Sequence, residues 1–92
     1  MPLTEPQAKV LGTLAVVDPA EARTVRQLSN TTEFGTGRTR AALLRLSNLG
    51  LVLGTSGIPT QYWISAQGRA LMRTRMYRDF VPDSAASHRK GA

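Results

Sequence analysis

Three arginines, Arg38, Arg40 and Arg45, stand close together in the stretch TGRTRAALLRLSN, which contains no acidic residue. A guanidinium presents a planar fork of donors that fits either the O6 and N7 of guanine or a pair of phosphate oxygens. Winding residues 36–49 as a helix at about 100° per residue sets Thr39, Ala42, Leu43, Leu46 and Leu49 on one side, the side expected to face a core. The other side centres on Gly37, Ala41, Leu44 and Asn48. Arg40 flanks that centre on one edge, and Arg38 and Arg45 flank it on the other. Small residues between arginines let a helix approach base edges closely, where Ala41 or Leu44 can meet a thymine methyl. Arg38 and Arg40 are placed for bases and Arg45 for the backbone. Most helical arginines simply face water, so the weight of this reading depends on what surrounds the segment.

The surroundings are TVRQLSNTTEFGTGRTRAALLRLSNLGLV, residues 24–52. Thr24 and Gln27 have the spacing of a capping box. It opens a two-turn helix whose buried side is Val25 and Leu28. Residues 29–34 are expected to form the turn, with Phe34 as its core anchor. Gly35 and Thr36 serve as N-cap for a helix over about Gly37–Leu49, and Gly50 is its left-handed stop. A short helix, a connection and a longer arginine-bearing helix compose a helix-turn-helix. In that arrangement Thr24, Arg26 and Gln27 are candidates for phosphate contacts, as are the backbone N–H groups at Gly35 and Thr36. Arg26 pairing with Glu21 or Glu33, and plain capping by Gly35 and Thr36, are the competing readings.

Around this unit, Thr4 and Gln7 form another capping box, opening a first helix with Ala8, Val10, Leu11, Leu14, Ala15 and Val17 on its apolar stripe and Asp18-Pro19 at its end. Residues 20–23 are a connection, with a short extended piece next to Thr24. Leu51–Leu53 and Gln61–Ile64 read as strands of a hairpin around the loop GTSGIPT. Trp63, the sole tryptophan, is expected in the core. Ser65 caps a last helix over about Ala66–Arg78. Its apolar residues Leu71, Met72, Met76, Tyr77 and Phe80 exceed what one small core requires and suggest a self-association surface. The expected fold is α+β, mostly α, in the order α-α-α-β-β-α: a winged helix-turn-helix domain over residues 3–80, followed by a polar tail, 81–92, expected to be disordered.

With these pieces in place, the segment 24–52 resembles the DNA-binding core of MarR-type and PadR-type bacterial regulators, which often read T-V-x-E-L-A, a turn, a helix, then R-L-E-x-x-G-L-V. Residues 62–71, YWISAQGRAL, are similar to the family's Y-x-L-T-x-E-G-R-A-L, and Leu3-Thr4-Glu5-Pro6-Gln7 to its L-T-x-x-Q opening. The resemblance covers roughly residues 3 to 72. It implies a transcriptional regulator, a repressor in preference to an activator, that seats residues 36–49 in the major groove of double-stranded DNA as a homodimer. Two departures stand out. Glu33 occupies the turn position where glycine is frequent, and residues 54–60 carry no Lys or Arg, against the family's habit of a basic wing. No counterpart is expected of the long flanking helices that dimerise MarR proteins and hold their ligand, so no small-molecule ligand is implied.

Composition agrees in sign. Twelve basic against six acidic residues give a net charge of +6 in 92 residues, which favours a polyanionic partner through counterion release. There is no cysteine, and the one histidine, His88, lies in the tail. No pair of carboxylates shares an ordered face at useful spacing, so neither an enzyme nor a metal or other cofactor site is expected. The first residues lack the pattern of a signal peptide, and the longest apolar run, Leu14–Val17, is too short to span a bilayer. A cytoplasmic protein with no membrane partner is the expectation. The alternative function is a winged-helix adaptor for protein contacts in a plasmid, phage or nucleoprotein assembly.

Overall fold

The computed structural model describes residues 3–81 of the chain. Three helices come first: α1 (Glu5–Ala15), α2 (Val25–Thr32) and α3 (Thr36–Asn48). A two-residue strand, β1 (Arg23–Thr24), precedes α2, and β2 (Val52–Gly54) and β3 (Gln61–Ile64) follow α3. The helix α4 (Ala66–Met72) completes the set, with 3₁₀ turns at Pro19–Glu21 and Arg78–Phe80. The expected order is present, and β1 is the short extended piece expected next to Thr24.

Both capping boxes form. The Thr4 hydroxyl accepts from the Gln7 N–H at 3.3 Å, and Gln7 Oε1 accepts from the Thr4 N–H at 3.1 Å. Thr24 and Gln27 repeat this at 3.2 and 2.9 Å. In each case two backbone donors that a helix start leaves orphaned find partners, which fixes the first turn. The first helix ends at Ala15, earlier than Asp18-Pro19. Asp18 instead caps the 3₁₀ turn, its side chain accepting from the Ala20 N–H at 2.9 Å.

The core is one cluster. Val10, Leu11 and Leu14 of α1, Leu28 of α2, and Leu43 and Leu46 of α3 are buried together, closed at the far side by Val52, Ile64, Met72 and Tyr77. Thr39, Ala42, Leu43 and Leu46 line the inner side of α3 as the periodicity indicates, but Leu49 is 38% exposed. As C-cap of α3 it sits where the backbone leaves the helix.

The sheet is antiparallel in the order β1-β3-β2. Val52 faces Ile64, Leu53 faces Trp63 and Gly54 faces Tyr62. Because side chains alternate along a strand, burying Val52 and Ile64 turns Leu53 and Trp63 to the other face. Tyr62 packs against the core, whereas Trp63 is only half-buried and Leu53 is exposed. The expectation of a core tryptophan is therefore corrected by strand parity.

The last helix is also shorter than its apolar spacing indicates, stopping at Met72 instead of Arg78. The N–H of Thr74 bonds back to Leu71 O, and the Thr74 hydroxyl donates to that same oxygen at 2.6 Å. A β-branched residue that competes for the carbonyl in this way ends the regular ladder. The chain then returns to α1. Tyr77 is buried and its hydroxyl accepts from the Leu3 N–H at 2.7 Å. Phe80 and Val81 pack against the core; residues 82–92 of the expected tail, His88 among them, lie outside the described residues.

Gly12 makes that return possible. A Cβ there would run into the Phe80 carbonyl and press on the Val81 nitrogen. Gly12→Ala should therefore destabilise the domain by about 1–3 kcal/mol despite alanine's better helix propensity, measured as a lower urea midpoint; an unchanged or higher midpoint would mean that the 80–81 segment does not hold α1. Thr39 offers the opposite case. It is fully buried, and its hydroxyl has no hydrogen-bond partner. An apolar isostere relieves an unmet polar group, so Thr39→Val should raise stability by about 1 kcal/mol in the same assay.

Candidate nucleic-acid interface

The turn between α2 and α3 positions the arginines. Helix α2 runs on to Thr32, further than the expected turn at residues 29–34, and the connection is Glu33-Phe34-Gly35. Glu33 takes the left-handed conformation at φ 65°, the conformation glycine adopts at low cost. The turn is thus tight, with a side chain where the resemblance anticipates none. Its neighbours hold it in place. The Ser29 hydroxyl donates to Phe34 O, the Thr32 hydroxyl donates to Leu28 O at 2.8 Å, and the Phe34 N–H donates to Thr32 Oγ1 at 3.4 Å.

Gly35 is the N-cap of α3 and makes no side-chain capping bond. Nothing lies within 4 Å of a Cβ built at Gly35 or at Gly37. The start of α3 is therefore bare, with N–H groups that a helix does not satisfy internally and room for another backbone to approach. At the other end Gly50 has φ 75°. The Leu51 N–H bonds to Leu46 O at 2.9 Å and the Gly50 N–H to Ser47 O at 3.0 Å. This is a Schellman closure, and it confirms Gly50 as the stop.

On the outer side of α3, Thr36, Gly37, Arg38, Arg40, Ala41, Leu44 and Arg45 are all exposed. Leu44 is 65% exposed, a large apolar side chain set among arginines. The flanks separate as the winding requires. Arg38 faces the start of α1, sharing a shallow hollow with Thr4, Gln7 and Ala41, and its guanidinium stands over the Phe34 ring at 5.6 Å. Lys9 of α1 approaches the same ring at 5.7 Å. An aromatic face attracts cations at this range, so Phe34 anchors Arg38 as well as the turn. Arg40 faces the hairpin.

Between α3 and the hairpin lies a groove of about 590 Å³, lined by Thr24, Val25, Arg26, Thr36, Arg40, Ile58, Pro59, Thr60 and Tyr62. It brings together Thr24, Arg26, Thr36 and Arg40, which sequence reasoning singled out on two separate helices. Gln27 is exposed beside them; its carbonyl oxygen is committed to the Thr24 N–H, which leaves its amide donors for a partner. The hairpin residues were not singled out. They carry no charge, and only the lone Ile58 amid polar turn residues hints at them.

The expected self-association face fares differently. Met72 and Tyr77 are buried in the domain's own core, Leu71 and Phe80 are half-buried against it, and only Met76 is largely exposed, at 67%. Much of the apolar surplus is taken up by the chain's return to α1. Among the described residues no cluster of three or more His, Asp or Glu side chains could hold a metal ion, and no helix is long and apolar enough to cross a membrane.

Neither a family model nor a curated protein matches the chain. Solved structures do. A MarR family transcriptional regulator from Silicibacter pomeroyi superposes with a TM-score of 0.67 at 23% identity, over 96% of this chain and 58% of that one. A zinc-responsive MarR family member, ZitR of Lactococcus lactis, superposes with a TM-score of 0.67 at 14% identity over 98% of this chain. A second ZitR structure gives 0.70 at 13% identity. This chain spans about 58–61% of the length of these neighbours. Its fold is the winged helix-turn-helix found in MarR-family regulators.

Replacing Glu33 by glycine should stabilise the domain by about 0.5–1 kcal/mol, because it removes the cost of a left-handed side-chain-bearing residue. Thermal unfolding measures it; a loss of stability would show that the Glu33 side chain contributes more than its backbone conformation costs.

Proposed function

We propose that this domain is a sequence-specific, double-stranded DNA-binding regulator of transcription that inserts α3 into the major groove. The observation that carries the reading is the two-sidedness of α3. One side is sealed into the core, and the other offers Arg38 and Arg40 around Gly37, Ala41 and Leu44, all exposed. Arg38 and Arg40 read base edges, Leu44 and Ala41 meet thymine methyls, and Arg45 reaches the backbone. Thr24, Arg26 and Gln27, with the bare N-terminus of α3 at Gly35 and Thr36, hold phosphates and set the register. The fold shared with MarR-family regulators and the net charge of +6 support the same assignment.

In this reading the protein acts as a homodimer on a two-fold site and represses by occupying it. Leu71, Met76 and Phe80 are the apolar residues of the C-terminal segment that retain exposed surface for a second copy. The adaptor alternative is favoured by the uncharged loop at residues 54–60, but it needs an acidic protein partner for the arginine face.

Selection from random duplexes, followed by titration of wild type and Arg40→Ala, tests the assignment. A palindromic site should emerge. Arg40→Ala should lose about 1–3 kcal/mol of binding free energy and relax one base position. Binding that is weak, uniform over sequences and unaffected by the substitution would overturn the reading.

A further inference from the structure

Two cations from different helices converge on the ring of Phe34. The Arg38 guanidinium of α3 stands over it at 5.6 Å and the Lys9 ammonium of α1 at 5.7 Å. Both side chains are exposed. The ring is held in place: Phe34 packs against the core, its N–H donates to Thr32 Oγ1 at 3.4 Å, and its carbonyl accepts from the Ser29 hydroxyl. A long cationic side chain at a surface is spread over many rotamers, and a fixed aromatic face narrows that spread. The narrowing leaves the donors available. A guanidinium over a ring keeps its outward N–H groups for a partner, as an ammonium does. Lys9 and Arg38 also repel each other. The negative face of the ring offsets part of that repulsion, and an anion beside the pair would offset more.

We propose that Phe34 is a positioning residue for DNA binding: its ring sets Arg38 for the duplex and makes Lys9, which lies outside the helix-turn-helix, a phosphate contact. This rests on the reading of α3 as a major-groove helix. The two cations gain different things from the ring. Arg38 arrives with fewer conformations to lose, so the ring adds affinity through ordering. Phe34 has no charge and releases no counterion of its own. Lys9, drawn from α1 toward the start of α3, neutralises a phosphate and does release one. Removing the ring and removing the ammonium therefore leave different marks on the salt dependence of binding.

The test is fluorescence anisotropy with the duplex selected by the wild-type protein, over a salt series, together with side-chain NMR of the free protein. The proteins are wild type, Phe34→Leu, Phe34→Tyr, Lys9→Met, Arg38→Ala, Arg40→Ala and the double variant Phe34→Leu/Arg38→Ala. Phe34→Leu should lose about fivefold in affinity with the wild-type slope of log K against log salt, and Phe34→Tyr should bind as wild type does. In the Arg38→Ala background, Phe34→Leu should cost no more than about twofold. Lys9→Met should make the slope shallower by about 0.9. In free wild type the terminal side-chain protons of Lys9 and Arg38 should be shifted upfield by the ring, and the shift should vanish in Phe34→Leu. If Phe34→Leu does not fold, the wild-type spectrum and the Lys9→Met slope decide. An equal loss from Phe34→Leu with and without Arg38 would make the ring structural only and overturn the proposal, as would unshifted protons in wild type or an unchanged slope in Lys9→Met. A loss on Arg40→Ala beside no effect at Phe34 and Lys9 overturns this proposal alone; no duplex binding by wild type removes both readings.

Discussion

The burial of one side of α3 is the constraint on which the rest depends. Leu43 and Leu46 are fully enclosed against α1 and α2, and each such side chain contributes on the order of 1.5–3 kcal/mol when removed from water. Rotating α3 about its axis by one residue would bring Arg40, Leu44 and Ser47 into the core and expose Leu46. The energy that holds the domain together therefore also fixes where Arg38, Ala41 and Leu44 point. The candidate interface is the outer face of a helix whose orientation is set from inside.

The same economy places the hairpin. The Schellman closure at Gly50 reverses the chain immediately after α3, and the Ser65 hydroxyl donates to Gly50 O at 2.7 Å while accepting from the Gly68 N–H at 3.1 Å. One serine thus ties the end of α3 to the start of α4. Gly68 permits this because a Cβ there would collide with Leu51 O and press on Ile64. The strands β2 and β3 leave from and return to that knot, so the loop they carry is placed relative to α3 by contacts within a few residues of its C-terminus. The two-residue β1, paired through Arg23–Tyr62 and Thr24–Gln61, locks the start of α2 to the same sheet. Both borders of the groove are then referred to one strand, β3.

What could be read from the chain beforehand divides along physical lines. Thr4 with Gln7, Thr24 with Gln27, and Gly50 act through bonds to residues a few positions away, and each was legible from spacing alone. The arginine face was legible because a helix of 13 residues shows its period clearly. Long-range packing was not. Trp63 looks like core by its type, but β3 is short and its parity follows from Val52 and Ile64. Helix α4 appears to run on by spacing, yet Tyr77 has to turn back to reach Leu3, 74 positions away in sequence. Glu33 takes a conformation that glycine would advertise and glutamate conceals. The groove followed the same rule: its helix residues could be singled out from the chain, and Ile58, Pro59 and Thr60 could not, because their place beside it depends on how the hairpin packs.

The two borders of that groove exert forces of different range. The arginines of α3 and α2 act over a Debye length, about 8–10 Å at ordinary ionic strength, and draw a polyanion before any contact forms. The loop acts only on contact, since an aliphatic side chain has no field to project. On a duplex, charge attraction alone would be satisfied at any sequence, whereas fit at an apolar side chain such as Leu44 would be satisfied at few. A basic loop would add to the first kind of force and blunt the contrast between sites. An uncharged loop beside an arginine-bearing helix confines the long-range attraction to the helix side of the groove. Salt screens the long-range part and leaves the contact part intact.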